Sequence, residues 1–96
     1  RDTFVFSHTD AHDKVTDFSS STDTLAFSAT LFEASMSEVD RAIQDFVIAR
    51  TTSTGTVISI DADGKGAGKA VEVAFLENVQ NFNVADLHSK CQVDII

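Results

Sequence analysis

This sequence of 96 residues contains no proline, tryptophan or tyrosine and only one cysteine. Because Cys91 stands alone, an internal disulfide is impossible, and stability has to come from the hydrophobic core, a metal or a partner. Phenylalanine is the only aromatic residue. This composition disfavours an aromatic binding platform, since tyrosine and tryptophan are the usual amphipathic binding residues.

Positive charge is also scarce, with seven Lys and Arg against fifteen Asp and Glu and a net charge of −8. This balance argues against nucleic-acid binding, which needs clustered basic residues, and it suits cation binding and solubility outside the cell. No apolar run has the length of a membrane span. We expect one domain over residues 1–96 and, because the chain begins with Arg1, a fragment or processed product of a larger secreted protein.

Apolar periodicity predicts a mainly β fold, a small β-sandwich or β-roll cap, with one short helix. The helix is expected at about residues 36–45, where Ser35 and Glu38 form a capping-box pattern. No internal repeat is evident. The strands are expected at residues 3–6, 14–18 and 24–27, in "DFVIART" and "TVISID", in "KAVEVAFL", and at the end of the tail.

The same periodicity predicts the residues of the hydrophobic core, because apolar side chains at strand or helix spacing share one face. The expected core consists of Phe4, Phe6, Val15, Phe18, Leu25, Phe27, Val39, Ile43, Phe46, Ile58, Ile60, Val71, Val73 and Phe75.

The glycine-rich loop at residues 61–72, "DADGKGAGKAVE", partly matches an EF-hand calcium loop. The matching positions are Asp61, Asp63, Gly66 and Glu72. Against this match, Lys65 and Lys69 occupy positions where oxygen ligands belong, and the flanks have strand patterns. We therefore expect a mobile hairpin tip over residues 61–68, with Asp61 and Asp63 as weaker metal candidates and an EF-hand-like domain as an alternative.

Acidic residues crowd the first segment, where like charges repel unless water or a cation intervenes. The stretches "DTFVF" at residues 2–6, "DKVTDF" at 13–18 and "DTLAFS" at 23–28 resemble the end of the calcium-binding β-roll in RTX-type bacterial exoproteins. "DADGKGAG" is similar to the family's later hairpin, and "VDII" to the ending of many type I secretion substrates. The glycine-rich nonapeptides are absent, so the resemblance is to the cap that follows the roll.

The resemblance implies a non-catalytic folding cap and export module, located outside the cell or at its surface. The implied partners are upstream RTX repeats of the same chain and a type I secretion ABC transporter. The implied cofactor is calcium. The implied calcium ligands are Asp2, Asp13 and Asp17, followed by Asp10 and Asp23. An extracellular carbohydrate- or protein-binding module remains the alternative function.

Overall fold

The computed structural model describes residues 2–8, 12–19, 21–64 and 70–96, and within these ranges the chain forms seven strands and three short α-helices. In chain order they are β1 Thr3–Phe6, β2 Asp13–Val15, β3 Thr24–Phe27, α1 Met36–Arg41, α2 Ile43–Phe46, β4 Val47–Thr51, β5 Gly55–Ile60, β6 Val71–Glu77, α3 Val84–Ser89 and β7 Val93–Ile95. A 3-10 turn at Ala29–Leu31 follows β3.

The strands form two sheets that share one hydrophobic core. The first sheet is parallel, with the order β1-β3-β7. The second has the order β2-β6-β5-β4, in which β2 and β6 are parallel and the other pairs antiparallel. The molecule is therefore a small α/β domain. Each predicted strand is present at least in part, although β2 ends at Val15 and not at the expected residue 18. A mainly β sandwich with a single helix is too narrow a description.

The predicted helix is interrupted at Ala42, whose φ of −131° ends α1 before α2 begins. The capping box is confirmed: the Ser35 hydroxyl accepts the Glu38 N–H at 3.2 Å, and the Glu38 carboxylate accepts the Ser35 N–H at 3.3 Å. A third helix, α3, lies before the last strand, and the Asn83 side chain caps its first turn by accepting the N–H of Asp86 at 2.9 Å. No helix in the described part of the chain is long and apolar enough to cross a membrane.

Strand β6 departs from the predicted alternation. The side chains expected on its buried face were Val71, Val73 and Phe75. A β-bulge opposite the Ile58–Ser59 step inserts one extra residue, so Val73 and its neighbour Ala74 are both buried and Leu76 takes the place expected for Phe75. Since a shift of one residue moves side chains to the other face, Phe75 becomes half-buried. Val71, at the start of the strand, is 44% exposed.

The rest of the predicted core is confirmed, apart from Phe4, which is half-buried. Leu25, Phe27 and Ile58 are completely inaccessible to solvent, and they belong to one hydrophobic cluster that includes residues of both sheets. Several buried residues were not expected, among them Val47 and Val93. Helix α3 contacts both β4 and β7, and α2 contacts α3 and β4, so the helices lie against the last strand of each sheet.

Candidate functional site: the open edges of β1 and β2

The two sheets are open on one side of the molecule. β1 ends the order of the first sheet and β2 ends the order of the second, and no described strand pairs with their outer edges. The two strands line a common groove of about 460 Å³ formed by residues 3–6 and 13–17. The opposite edges, β7 and β4, both contact α3. One end of the paired sheets is therefore exposed, whereas helices lie against the other.

The outer edge of β1 offers unused backbone hydrogen-bonding groups. The carbonyl of Asp2 accepts the N–H of Thr24 at 2.8 Å, and the carbonyl of Phe6 accepts the N–H of Ser28 at 2.9 Å. In a parallel ladder alternate residues bond to the same neighbour, so every second residue from Asp2 to Phe6 is bonded to β3. The residues whose N–H and C=O groups point to the open edge are Thr3 and Val5.

A short repeat lies behind this arrangement. The hexapeptides "DTFVFS" at residues 2–7 and "DTLAFS" at residues 23–28 share four of six residues. They are neighbours in the parallel sheet, with Thr3 opposite Thr24 and Phe6 opposite Phe27. The rings of Phe6 and Phe27 stack at 5.3 Å with an interplanar angle of 21°. The expectation of no internal repeat is therefore wrong: the chain leaves the first sheet after β1, forms β2 in the second, and returns beside β1 as β3.

Asp23 joins the beginnings of these two repeats. Its side chain is buried, its Oδ1 accepts the N–H of Asp2 at 2.9 Å, and its Oδ2 accepts the N–H of Ser19 at 2.9 Å. These bonds to backbone N–H groups favour the ionised carboxylate and hold the pKa of Asp23 below its ordinary value. Of the predicted calcium ligands, Asp23 therefore already has a structural role, which its position before a strand did not reveal.

We expect Asp23→Asn to lower the melting temperature by several degrees at neutral pH, because one of the two N–H groups then faces an amide donor. Since the folded pKa is lowered, the carboxylate's contribution is complete above the ordinary value of 3.8. It decreases as the pH falls below that value and is lost below the folded pKa. Thermal melts of both proteins from pH 7 to pH 2 should therefore converge; a constant difference would contradict the role of the charge.

Three of the other predicted calcium ligands lie on the surface of the described chain. Asp13 and Asp17 are exposed and line the groove between β1 and β2, whereas Asp2 is exposed at the start of β1. Asp10 lies outside the described residues. Across the ranges that the structure describes, no three His, Cys, Asp or Glu side chains are grouped so that they could hold a metal ion. Two of the predicted calcium ligands thus line one groove.

The loop after β5, predicted as a mobile hairpin tip over residues 61–68, begins with a residue that is held in the core. Asp61 is fully buried, and its N–H donates to the carbonyl of Phe46 at 2.8 Å. Asp63 is exposed. Strands β5 and β6 flank the loop where an EF-hand would have helices, so the EF-hand alternative is wrong. Residues 65–69, with Lys65 and Lys69, lie outside the described residues.

Comparison of the chain with models of known protein families, with curated proteins and with solved structures finds no match. The functional argument therefore rests on three features of the molecule itself: the open edges of β1 and β2, the groove between them, and the carboxylate of Asp23 that joins neighbouring repeats.

Proposed function

We propose that this chain is the C-terminal, non-catalytic cap of a parallel β-coil in an RTX-like secreted protein. The observation that carries the proposal is the asymmetry of the sheets, which are open at β1 and β2 and lie against helices at β4 and β7. A coil of this kind adds one strand to each sheet per turn. A preceding turn would add one strand beside β1 and one beside β2.

The open edges support this assignment for a physical reason. Exposed sheet edges are sites of unwanted pairing, which proteins usually block with charges, bulges or covering elements. β1 carries no charged side chain, and Val5 in its centre is 58% exposed. Arrays of stacked units also need a terminal unit that ends the core. An upstream turn of the same chain would cover β1 and β2, while the helices end the array.

Calcium ligation at the junction is part of the proposal. Asp13 and Asp17 place two carboxylates on the groove, and carboxylate oxygens are the donors that calcium prefers. Calcium takes six to eight oxygen ligands, which two carboxylates cannot supply. Lys14, between them in sequence, is paired with Glu77 at 3.0 Å. We propose that Asp13 and Asp17 contribute part of a site that the preceding turn completes, with Asp2 near the junction.

The test extends the chain with tandem glycine-rich nonapeptides placed before Asp2. The extended protein should melt at a higher temperature with calcium than with chelator, and Asp17→Asn should reduce that difference. A ligand that binds only the folded state stabilises it by about 2.7 kcal/mol at a hundredfold excess over its dissociation constant. Glu33→Gln is the matched control, since it removes one exposed carboxylate away from the groove.

Identical melting in calcium and in chelator, for the extended protein as well as the chain itself, would refute calcium ligation at the junction. Export through a type I secretion ABC transporter, and thus location outside the cell, is tested separately. Fusion of this chain to a reporter should give transporter-dependent secretion, and a reporter retained in the cell despite an active transporter would refute the export role.

The alternative function, an extracellular binding module, is better supported for protein partners than for carbohydrate. The unused backbone groups of β1 suit the addition of a partner's strand. Carbohydrate binding is less well supported, because none of the eight phenylalanines, all within the described residues, is exposed. The two functions differ in the extended protein: a cap buries its β1 edge against the added turn, whereas a binding module keeps the amides of Thr3 and Val5 exposed to solvent exchange.

A further inference from the structure

We infer that the carboxylate of Asp2 is a docking group that accepts the backbone N–H of an incoming parallel strand on β1. This inference rests on the proposed cap function and specifies how the preceding turn attaches. The resemblance associates the exposed Asp2 carboxylate with calcium. We assign it instead a hydrogen bond to protein backbone.

The structure contains the template for this bond. Asp23 stands immediately before β3, and its Oδ1 accepts the N–H of Asp2, the residue immediately before the neighbouring strand β1. The bond thus runs from the N–H of the residue before β1 to the carboxylate of the residue before β3, the strand beside β1 in the sheet. Asp23 also accepts the N–H of Ser19, four residues before it. One carboxylate therefore anchors both the neighbouring strand and its own preceding turn.

Asp2 occupies the same place in the earlier repeat. It precedes Thr3 as Asp23 precedes Thr24, and these threonines are opposite each other in the ladder. Within the described residues the Asp2 carboxylate makes no hydrogen bond, and it is exposed beside the open edge of β1. If the ladder continues with the same register, the residue immediately before the incoming strand places its N–H opposite the Asp2 carboxylate. The N–H of Asp2 has the same position opposite the Asp23 carboxylate.

The register also defines the incoming strand. It runs parallel to β1, and its backbone bonds to the N–H and C=O groups of Thr3 and Val5, which point to the open edge. Its side chains at the rungs of Phe4 and Phe6 face the core, as Phe27 does in the present ladder. The partner is therefore a strand of the preceding turn with apolar side chains at these two rungs. The form D-T-φ-x-F-S, where φ is apolar, meets this requirement when it stands one interval of 21 residues, the spacing from Asp2 to Asp23, ahead of Asp2.

A duplication supplies such a strand without importing a foreign sequence. Repeating residues 2–22 ahead of Asp2 places a second copy of the first hexapeptide one interval upstream. We expect the amides of Thr3 and Val5 to exchange rapidly in the original chain and at least tenfold more slowly in the duplicated chain. Hydrogen exchange followed by NMR measures this directly.

The variant Asp2→Ala, made at the second copy of Asp2 in the duplicated chain, tests the carboxylate. In the original chain it should change the melting temperature no more than the control Glu33→Ala, because both side chains are exposed. In the duplicated chain it should lower the melting temperature by at least half as much as Asp23→Ala does. It should also abolish slow exchange at the amide of the added Asp2. Asp2→Asn, which retains one acceptor oxygen, should have the smaller effect.

The outcomes separate the two proposals. If the added turn leaves Thr3 and Val5 in fast exchange, the edge does not accept a preceding turn, and both the cap function and the docking bond are refuted. If those amides become protected but Asp2→Ala changes neither the melting temperature nor the exchange of the added Asp2 amide, the cap function stands and the docking bond is refuted. If the amides of Thr3 and Val5 become protected and Asp2→Ala restores fast exchange at the amide of the added Asp2, both the cap function and the docking bond are supported.

Discussion

Replacing Phe27 by alanine is expected to lower the free energy of unfolding by about 3–5 kcal/mol, because the change removes a fully buried aromatic ring. Phe27 lies in the central strand of the parallel sheet, and its ring stacks on Phe6. Small domains have total stabilities of only about 5–15 kcal/mol. The loss would therefore be a large part of the total, and urea denaturation followed by circular dichroism would measure it.

Val5→Ala is the matched control for this substitution. Val5 lies in the adjacent strand but on the outer face, where it is 58% exposed, so its truncation should change the free energy of unfolding by less than about 0.5 kcal/mol. Similar losses for the two variants would show that β3 does not lie between two packed neighbours in the core.

Gly64→Ala is expected to destabilise the protein by about 2–4 kcal/mol, for two physical reasons. Gly64 has a φ of +68°, a conformation that strains an L side chain. An added Cβ would also lie 2.6 Å from Cε1 of Phe46, whose buried ring packs edge-on against Phe32. The ring cannot retreat without displacing other core side chains. Chemical denaturation gives the size of the loss.

The two causes can be separated in a Phe46→Leu background. The ring is absent there, so Gly64→Ala should retain only the backbone strain and cost about 1–2 kcal/mol. An equal loss in both backgrounds would show that contact with the ring contributes nothing. A neutral Gly64→Ala would mean that the loop does not turn over Phe46 as described.

Local patterns predicted the parts of this fold that depend on neighbouring residues. The strands at residues 3–6 and 24–27 and the capping box of Ser35 and Glu38 follow from residue patterns over a few positions. The interruption at Ala42 and the β-bulge in β6 did not follow, because each depends on how the element packs against the rest of the domain. The bulge alone changed the face of Phe75.

The sequence indicated which residues belong to the candidate site, but it did not indicate how they are arranged in space. The acids of the first segment and the two D-T-φ-x-F-S hexapeptides are visible in the printed sequence, but four shared residues in a six-residue stretch do not identify a repeat. The ladder that places Thr3 beside Thr24 identifies it. Burial of Asp61 was also unexpected, since it begins a glycine-rich loop and aspartates in such loops usually lie in solvated turns.

The sequence by itself determined the absence of a disulfide, the acidic charge, the single-core size and most of the strands, because these depend on composition and on spacing along the chain. Only the tertiary structure decided which strands pair, and in which direction. Parallel pairing of β1, β3 and β7 joins residues far apart in sequence, and local periodicity carries no information about such partners. The open edge beside Asp2 exists for that reason: it is a property of strand order, which the chain acquires only when both sheets close on one core.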